Sequence, residues 1–175
     1  MRHIVRQSLR AVIIATVSVL AALTWANWPE PHVYGVADRI VVIKSAHTLT
    51  LYAHNQSLVT YPISLGRHPV NHKEREGDGR TPSGRYTIDY KNSRSCCYLA
   101  LHISYPNASD VAHATAIHAN PGGAIMIHGL VHGLGWLGRL HRFYDWTNGC
   151  VAVTNQEMRE IWSAVPAGTP IELRE

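Results

Sequence analysis

Acidic residues are absent from the first 29 positions of this chain, and cysteine is scarce, with three among 175 residues. On that acid-free background stand Arg2, Arg6 and Arg10, followed by an uncharged apolar stretch from Ala11 to Trp28. A basic start ahead of an apolar run is the pattern of a secretory signal. The run is close to the roughly 20 residues a helix needs to cross a bilayer, and Thr24-Trp25-Ala26 is a fair small-residue cleavage site. Residues 1–28 are therefore expected to be a signal peptide or a retained signal anchor. The arginines hold that end in the cytoplasm and send the remainder out. A periplasmic or other extracytoplasmic location follows, with the membrane touched only through the N-terminal segment.

The exported part also lacks an excess of charge of either sign. Of 16 basic residues three lie in the leader, which leaves 13 against 12 acidic ones, a balance of about +1. No basic footprint for nucleic acid remains, nor a polybasic tail. The odd cysteine count excludes complete pairing into disulfides. Cys96 and Cys97 are neighbours whose side chains point to opposite faces of an extended segment, so strand packing is expected of them and not a bridge. Cys150 stands apart in "DWTNGCVAV", behind the turn formers Thr147, Asn148 and Gly149 and ahead of a β-branched run.

What is present after the leader is a succession of short β-branched and aromatic runs. Residues 39–44, 48–53, 58–66, 85–90, 98–104, 124–128 and 169–174 read as strands. Residues 66–84 hold Gly, Pro, Asn and charges with almost nothing apolar, the composition of a long functional surface loop. A short helix is expected within 109–120, with Ser109 as its cap. A firmer one follows Cys150: Thr154 and Glu157 form a capping box, and Met158, Ile161, Trp162 and Val165 repeat at helical spacing. With no repeats, the expectation is one mainly β domain over 38–174, sandwich-like or barrel-like, with one or two short helices.

A cysteine on a tight turn before an anchored helix has the placement of a nucleophile, which needs a base to take its proton. Among 12 histidines, His128, His132 and His141 lie just upstream. His128 ends an apolar strand and is held by the sheet, which makes it the first choice of base, ahead of His141 and then His132. The latter two are expected to be solvent-facing loop histidines or partners of Asp145. A zinc-protease helix would place glutamate directly after His128; Gly129 stands there, and the glycines at 129, 133, 135 and 138 disfavour a helix. No metal is expected.

The pieces "VVIKSAHTLTLY", "ISLGRHPVNHKEREGDGRTPSGRYTI", "HISYPN", "IMIHG" and "DWTNGCVAVTNQEM" resemble, in that order, the L,D-transpeptidase catalytic (YkuD) domain. The likeness is to its compact periplasmic branch with "GDGRTP" and "DWT-x-GC". The resemblance implies a β-sandwich-like catalytic fold, Cys150 as nucleophile, His128 as proton acceptor and donor, and no cofactor. It implies acyl transfer through a thioester on the diamino acid–D-Ala bond of peptidoglycan stem peptides, giving 3-3 cross-links or a related product. Gly149 is expected to offer a backbone N–H to the oxyanion, and Gly129, Asn148 and His141 to touch substrate. Asn148 stands where the wider family has histidine, Ala152 where it has arginine or asparagine, and the 22 positions from His128 to Cys150 exceed the usual gap. Three other readings stand beside this one. They are a hydrolase of the same fold that trims stems or releases wall-anchored lipoprotein, a non-catalytic wall-binding module, and a zinc peptidase.

Overall fold

The computed structural model describes residues 2–29 and 35–175. Helix α1 runs Arg2–Ala26, and the stretch Leu9–Ala26 is almost wholly exposed, as an apolar helix is when nothing in its own chain covers it. Eight strands follow among the described residues: β1 Arg39–Ile43, β2 Thr48–Ala53, β3 Gln56–Pro62, β4 Gly84–Ser95, β5 Tyr98–Ile103, β6 Met126–His128, β7 Val151–Ala152 and β8 Pro170–Arg174. Helices α2, Ala108–Ala116, and α3, Asn155–Ala164, complete the elements, with a 3-10 run at Gly135–Phe143.

The strands form one sheet in the order β3-β2-β1-β8-β4-β5-β6-β7. Strand β4 is the pivot. Its first residues, 84–87, pair with β8, and the rest pair with β5 from Ile88 onward. The sheet therefore changes direction along β4, and its two halves bury Ile40, Leu49 and Leu51 together with Ile88, Leu101, Ile127 and Val151 in one core. Helix α3 closes that core with Met158, Ile161 and Ala164. The mainly β, few-helix architecture is the one expected.

The local signals fare unevenly. Thr154 accepts from Glu157 N–H while Glu157 reaches back to the Thr154 N–H, so the capping box is real. Helix α2 is capped by Asn107 and not by Ser109, because Asn107 Oδ1 reaches the N–H groups of both Ser109 and Asp110. Cys96 and Cys97 are not packed within a strand: Ser95 pairs with Tyr98, so the two cysteines are the turn between β4 and β5. Within the stretch 129–144, residues Gly135–Phe143 form 3-10 turns with Leu137 and Leu140 half-buried. Gly138 breaks the run with φ +46°.

Candidate active site

Strand β6 lies between β5, antiparallel, and β7, parallel, with Ile127 opposite Val151 and His128 opposite Ala152. Ile127 and Val151 are fully buried on the core side. Strand alternation then puts Met126, His128 and Cys150 on the other face. A three-residue and a two-residue strand thus set an imidazole and a thiol, 22 positions apart along the chain, on one face of the sheet.

His128 Nδ1 lies 2.6 Å from the Gly129 carbonyl. A carbonyl only accepts, so the ring proton sits on Nδ1 and Nε2 is the acceptor. Trp146 packs edge-on against the ring at 5.6 Å between centroids. Burial pushes the imidazole below its ordinary range, with the Gly129 carbonyl opposing. Burial pushes the Cys150 thiol up, against the Met126 N–H at the sulfur and the positive charge of Lys73. At rest the pair is a neutral thiol and a neutral imidazole. The Cys150 thiol donates to the Ala124 carbonyl at 3.5 Å.

The turn that carries Cys150 is fixed by Thr147. Its hydroxyl donates to the Cys150 carbonyl at 2.8 Å and accepts from the Gly149 N–H at 3.1 Å. Thr147 itself is tied to Leu65 and Arg67 through its backbone. Gly149 has φ +126°, and a Cβ there would stand 2.5 Å from the Arg80 carbonyl oxygen. A Cβ on Gly66 would stand 2.2 Å from the Gly79 oxygen and 3.0 Å from Gly149 Cα. Three backbone segments therefore stack without side chains between them, which is why glycine is required at 66 and 149. Thr81 accepts from the Gly66 N–H, and Asp145 accepts from the Leu65 N–H and from His47 Nε2, so the "GDGRTP" and "DWT" pieces lock the same turn.

Several expectations are corrected by this geometry. The Gly149 N–H is occupied by Thr147 and is not a free oxyanion donor; glycine is there for close approach. Gly129 offers no surface to a substrate: it is buried, a Cβ on it would meet Asn155 Oδ1 at 2.6 Å, and its carbonyl orients His128. His141 is neither solvent-facing nor bound to Asp145. It is buried, its Nδ1 lies 3.2 Å from Ser64 Oγ and accepts from Trp146 Nε1, and its Nε2 has no partner among the described residues. Burial, with Arg142 and His128 nearby, lowers its pKa to about 3. His132, by contrast, is exposed as expected of a loop histidine, and its Nε2 meets the Ser95 carbonyl at the end of β4. Asn148 is exposed at the tip of the turn. Thr147, Trp146 and Asp145 were missed as positioning residues although they lie in the quoted "DWT" piece, because their partners are remote in sequence.

Beside the turn lies a cleft of about 740 Å³ lined by Arg67, His68, Arg75 and Arg80 together with Glu74 and Asp78. Asp78 is pushed up by burial but held lower by Lys73 and by three backbone N–H groups, to a pKa of about 2. By accepting from Lys73 and from the Glu74, Arg75 and Arg80 N–H groups, it closes the loop 73–80 on itself. No group of three or more metal-ligating side chains is found among the described residues.

A curled β-sheet with a cysteine turn and a sheet-held histidine at its short-strand end defines the structural class. The family model of the L,D-transpeptidase catalytic domain (YkuD) matches residues 37–173, and the chain belongs to that family. YafK of Escherichia coli (strain K12) is 31% identical over 132 residues, covering 72% of this chain and 46% of its own. YkuD of Bacillus subtilis (strain 168) is 26% identical over 175 residues, covering 96% of this chain and 87% of its own. The chain thus spans about half the length of the Escherichia coli relative. Among solved structures, the helical cell shape determining protein Pgp2 of Campylobacter jejuni superposes with a TM-score of 0.62 at 21% identity, covering 88% of this chain and 55% of that one. Bd1075 of Bdellovibrio bacteriovorus gives 0.54 at 21% identity, covering 81% of this chain and 51% of that one. These likenesses show the fold.

Proposed function

We propose that residues 38–174 are a cysteine acyltransferase acting on peptidoglycan stem peptides outside the cytoplasm, with residues 1–28 as the leader that delivers it. The observation that carries this reading is the shared sheet face of Cys150 and His128, with His128 Nδ1–H held by the Gly129 carbonyl and Nε2 left to accept. His128 takes the Cys150 proton, and the sulfur attacks the carbonyl of the diamino acid at the third stem position. The proton passes to the departing D-Ala amine, and a thioester remains. An incoming amine or water, deprotonated by His128, then releases the acyl group. The Cys150 N–H is the oxyanion donor on this turn, because the Gly149 N–H is already engaged. Arg67 in the adjoining cleft, where Arg80 is already paired with Glu74, supplies the positive charge for stem carboxylates that position 152 does not.

The test is incubation of the full chain in detergent, and of its Cys150→Ala form, with tetrapeptide muropeptides and with lipoprotein-linked muropeptides, products being read by mass spectrometry. D-Ala loss with a cysteine-dependent 3-3 dimer establishes a transpeptidase, and D-Ala loss alone a carboxypeptidase. Cleavage only of the lipoprotein-linked species establishes a detaching hydrolase. No product and no adduct on Cys150 overturns the catalytic reading in favour of a wall-binding module.

A further inference from the structure

The β4–β5 hairpin turns on two thiols whose Sγ atoms stand 3.3 Å apart, both free, Cys96 exposed and Cys97 half-buried. The expectation of divergent side chains applied to an extended segment; a turn removes it. This turn braces the segment after His128. The Cys96 carbonyl accepts from the His132 N–H at 3.1 Å, and the Cys97 carbonyl oxygen lies 3.3 Å from the position of a Cβ on Gly129. Gly129 is the residue whose carbonyl holds His128.

We propose that Cys96 and Cys97 are a redox modification site that closes into a vicinal disulfide under low-molecular-weight disulfides and transmits the change to the segment 129–132. The exposed Cys96 thiolate attacks one sulfur of the small disulfide and expels the first small thiolate. Cys97 then attacks the Cys96 sulfur, forming the protein S–S bond and expelling the second, and the two protein thiol protons end on the two small thiols. Burial, with Cys96 and Cys150 adding to it, pushes the Cys97 thiol up to about 12, so Cys96 takes the first step. Ring closure includes the peptide between the two cysteines, whose carbonyl is the one that His132 holds, and re-aims it.

The experiment uses the full chain carrying Cys150→Ser, treated with oxidised glutathione and followed by peptide mass mapping and backbone amide NMR. The expected result is loss of two hydrogens from the 96–97 peptide, reversal by dithiothreitol, and displaced amide signals for Gly129 and His132. Persistent free thiols, or glutathione left on Cys96, overturn the site. A disulfide that leaves those amides unmoved overturns the coupling, and a Cys97–Cys150 bond in the unmutated chain overturns the pairing. Only the consequence for His128 rests on the proposed function; the mass readout holds whatever Cys150 does.

A different observation concerns the end of α1. Ala26 is buried, Asn27 Nδ2 donates to the Trp136 carbonyl at 2.9 Å, and Arg139 donates to the Trp25 and Trp28 carbonyls at 3.0 and 3.1 Å. A Cβ on Gly138 would stand 2.2 Å from the Ala26 oxygen, so the helix end and the 3-10 run meet backbone to backbone. The same loop leaves Leu134, Trp136, Phe143 and Tyr144 exposed, Phe143 by 77%. Aromatic side chains clustered where an apolar helix leaves the membrane form an interfacial belt. We infer that α1 is a retained anchor and that the 134–144 face rests in the interface of the bilayer that α1 enters.

The test places the full chain in nanodiscs whose lipids are brominated near the headgroup. Trp136 emission is taken as the difference between the unmutated chain and Trp136→Phe. Quenching of that component is expected. Unquenched Trp136 beside quenched Trp25 and Trp28, or protein recovered from cells without its first 26 residues, overturns the inference.

Discussion

The two halves of the sheet are built on different terms. Strands β1, β2, β3 and β8 run five to seven residues, and β2 alternates buried and half-exposed positions like an ordinary scaffold strand. Across β4, the strands shrink to three residues in β6 and two in β7. The short half carries Cys150 and His128, and its backbone groups pass from the ladder to side chains such as Thr147 and Asn155. The proposed chemistry sits where the sheet ends early, because a backbone group not used by a strand is free to orient a side chain. The long half holds the molecule together, and the short half spends its regularity on aiming two groups.

The widest separation of the halves is expected from paired substitutions. Cys150→Ala should lower product formation by roughly 10⁴-fold or more with the melting temperature unchanged. Leu51→Ala, in the fully buried centre of β2, should cost about 2–5 kcal/mol in denaturant midpoint measurements while kcat of the folded fraction stays the same. His128→Ala should follow with a loss of about 10²–10⁴-fold. The pH profile sharpens the point. Burial raises the Cys150 thiol and lowers His128, so with neither group changing charge there kcat/KM should be flat across the neutral range and fall only on the acid side, below 6.5, where His128 takes up a proton. A profile still climbing through the neutral range would contradict the neutral resting pair.

Thr147→Val blurs the division, since it frees the buried Gly149 N–H. About 1–3 kcal/mol of stability should be lost together with activity, as read by thermal unfolding and product yield. A separate effect, confined to acid pH, belongs to His141. Its folded pKa of about 3 lies below the ordinary 6.5, so the unfolded chain binds the proton first as pH falls. Its contribution to stability is complete above 6.5 and drains away between 6.5 and about 3. His141→Gln should flatten the acid limb of the stability curve over that window. Asn148→Ala, at an exposed turn tip, should change kcat/KM least of all. A large loss there would assign Asn148 to the substrate.

Much of the scaffold was legible in the order of residues. The apolar run that forms helix α1, the alternation in 48–53, the capping box of Thr154 and Glu157 and the turn before Cys150 are all local patterns, set by neighbours within a few positions. Asn107 in place of Ser109 as helix cap shows how small the error of a local signal is. The cysteine turn at 96–97 shows the opposite, since whether a segment is strand or turn depends on where its partner strand begins.

The sequence by itself determined the mainly β architecture, helix α3 and the family, and its motif offers Cys150 and His128 as the candidate pair. Only the tertiary structure decided what those residues meet. Thr147 is fixed from Leu65 and Arg67, the Gly149 backbone from Arg80, and His141 from Ser64. Each of these contacts joins segments separated by more than sixty positions, and a hydrogen bond across that distance exists only once the sheet has closed. That closure turned Gly149 from a donor into a spacer, Gly129 from a contact into an orienting carbonyl, and His141 from a loop residue into a buried neutral ring.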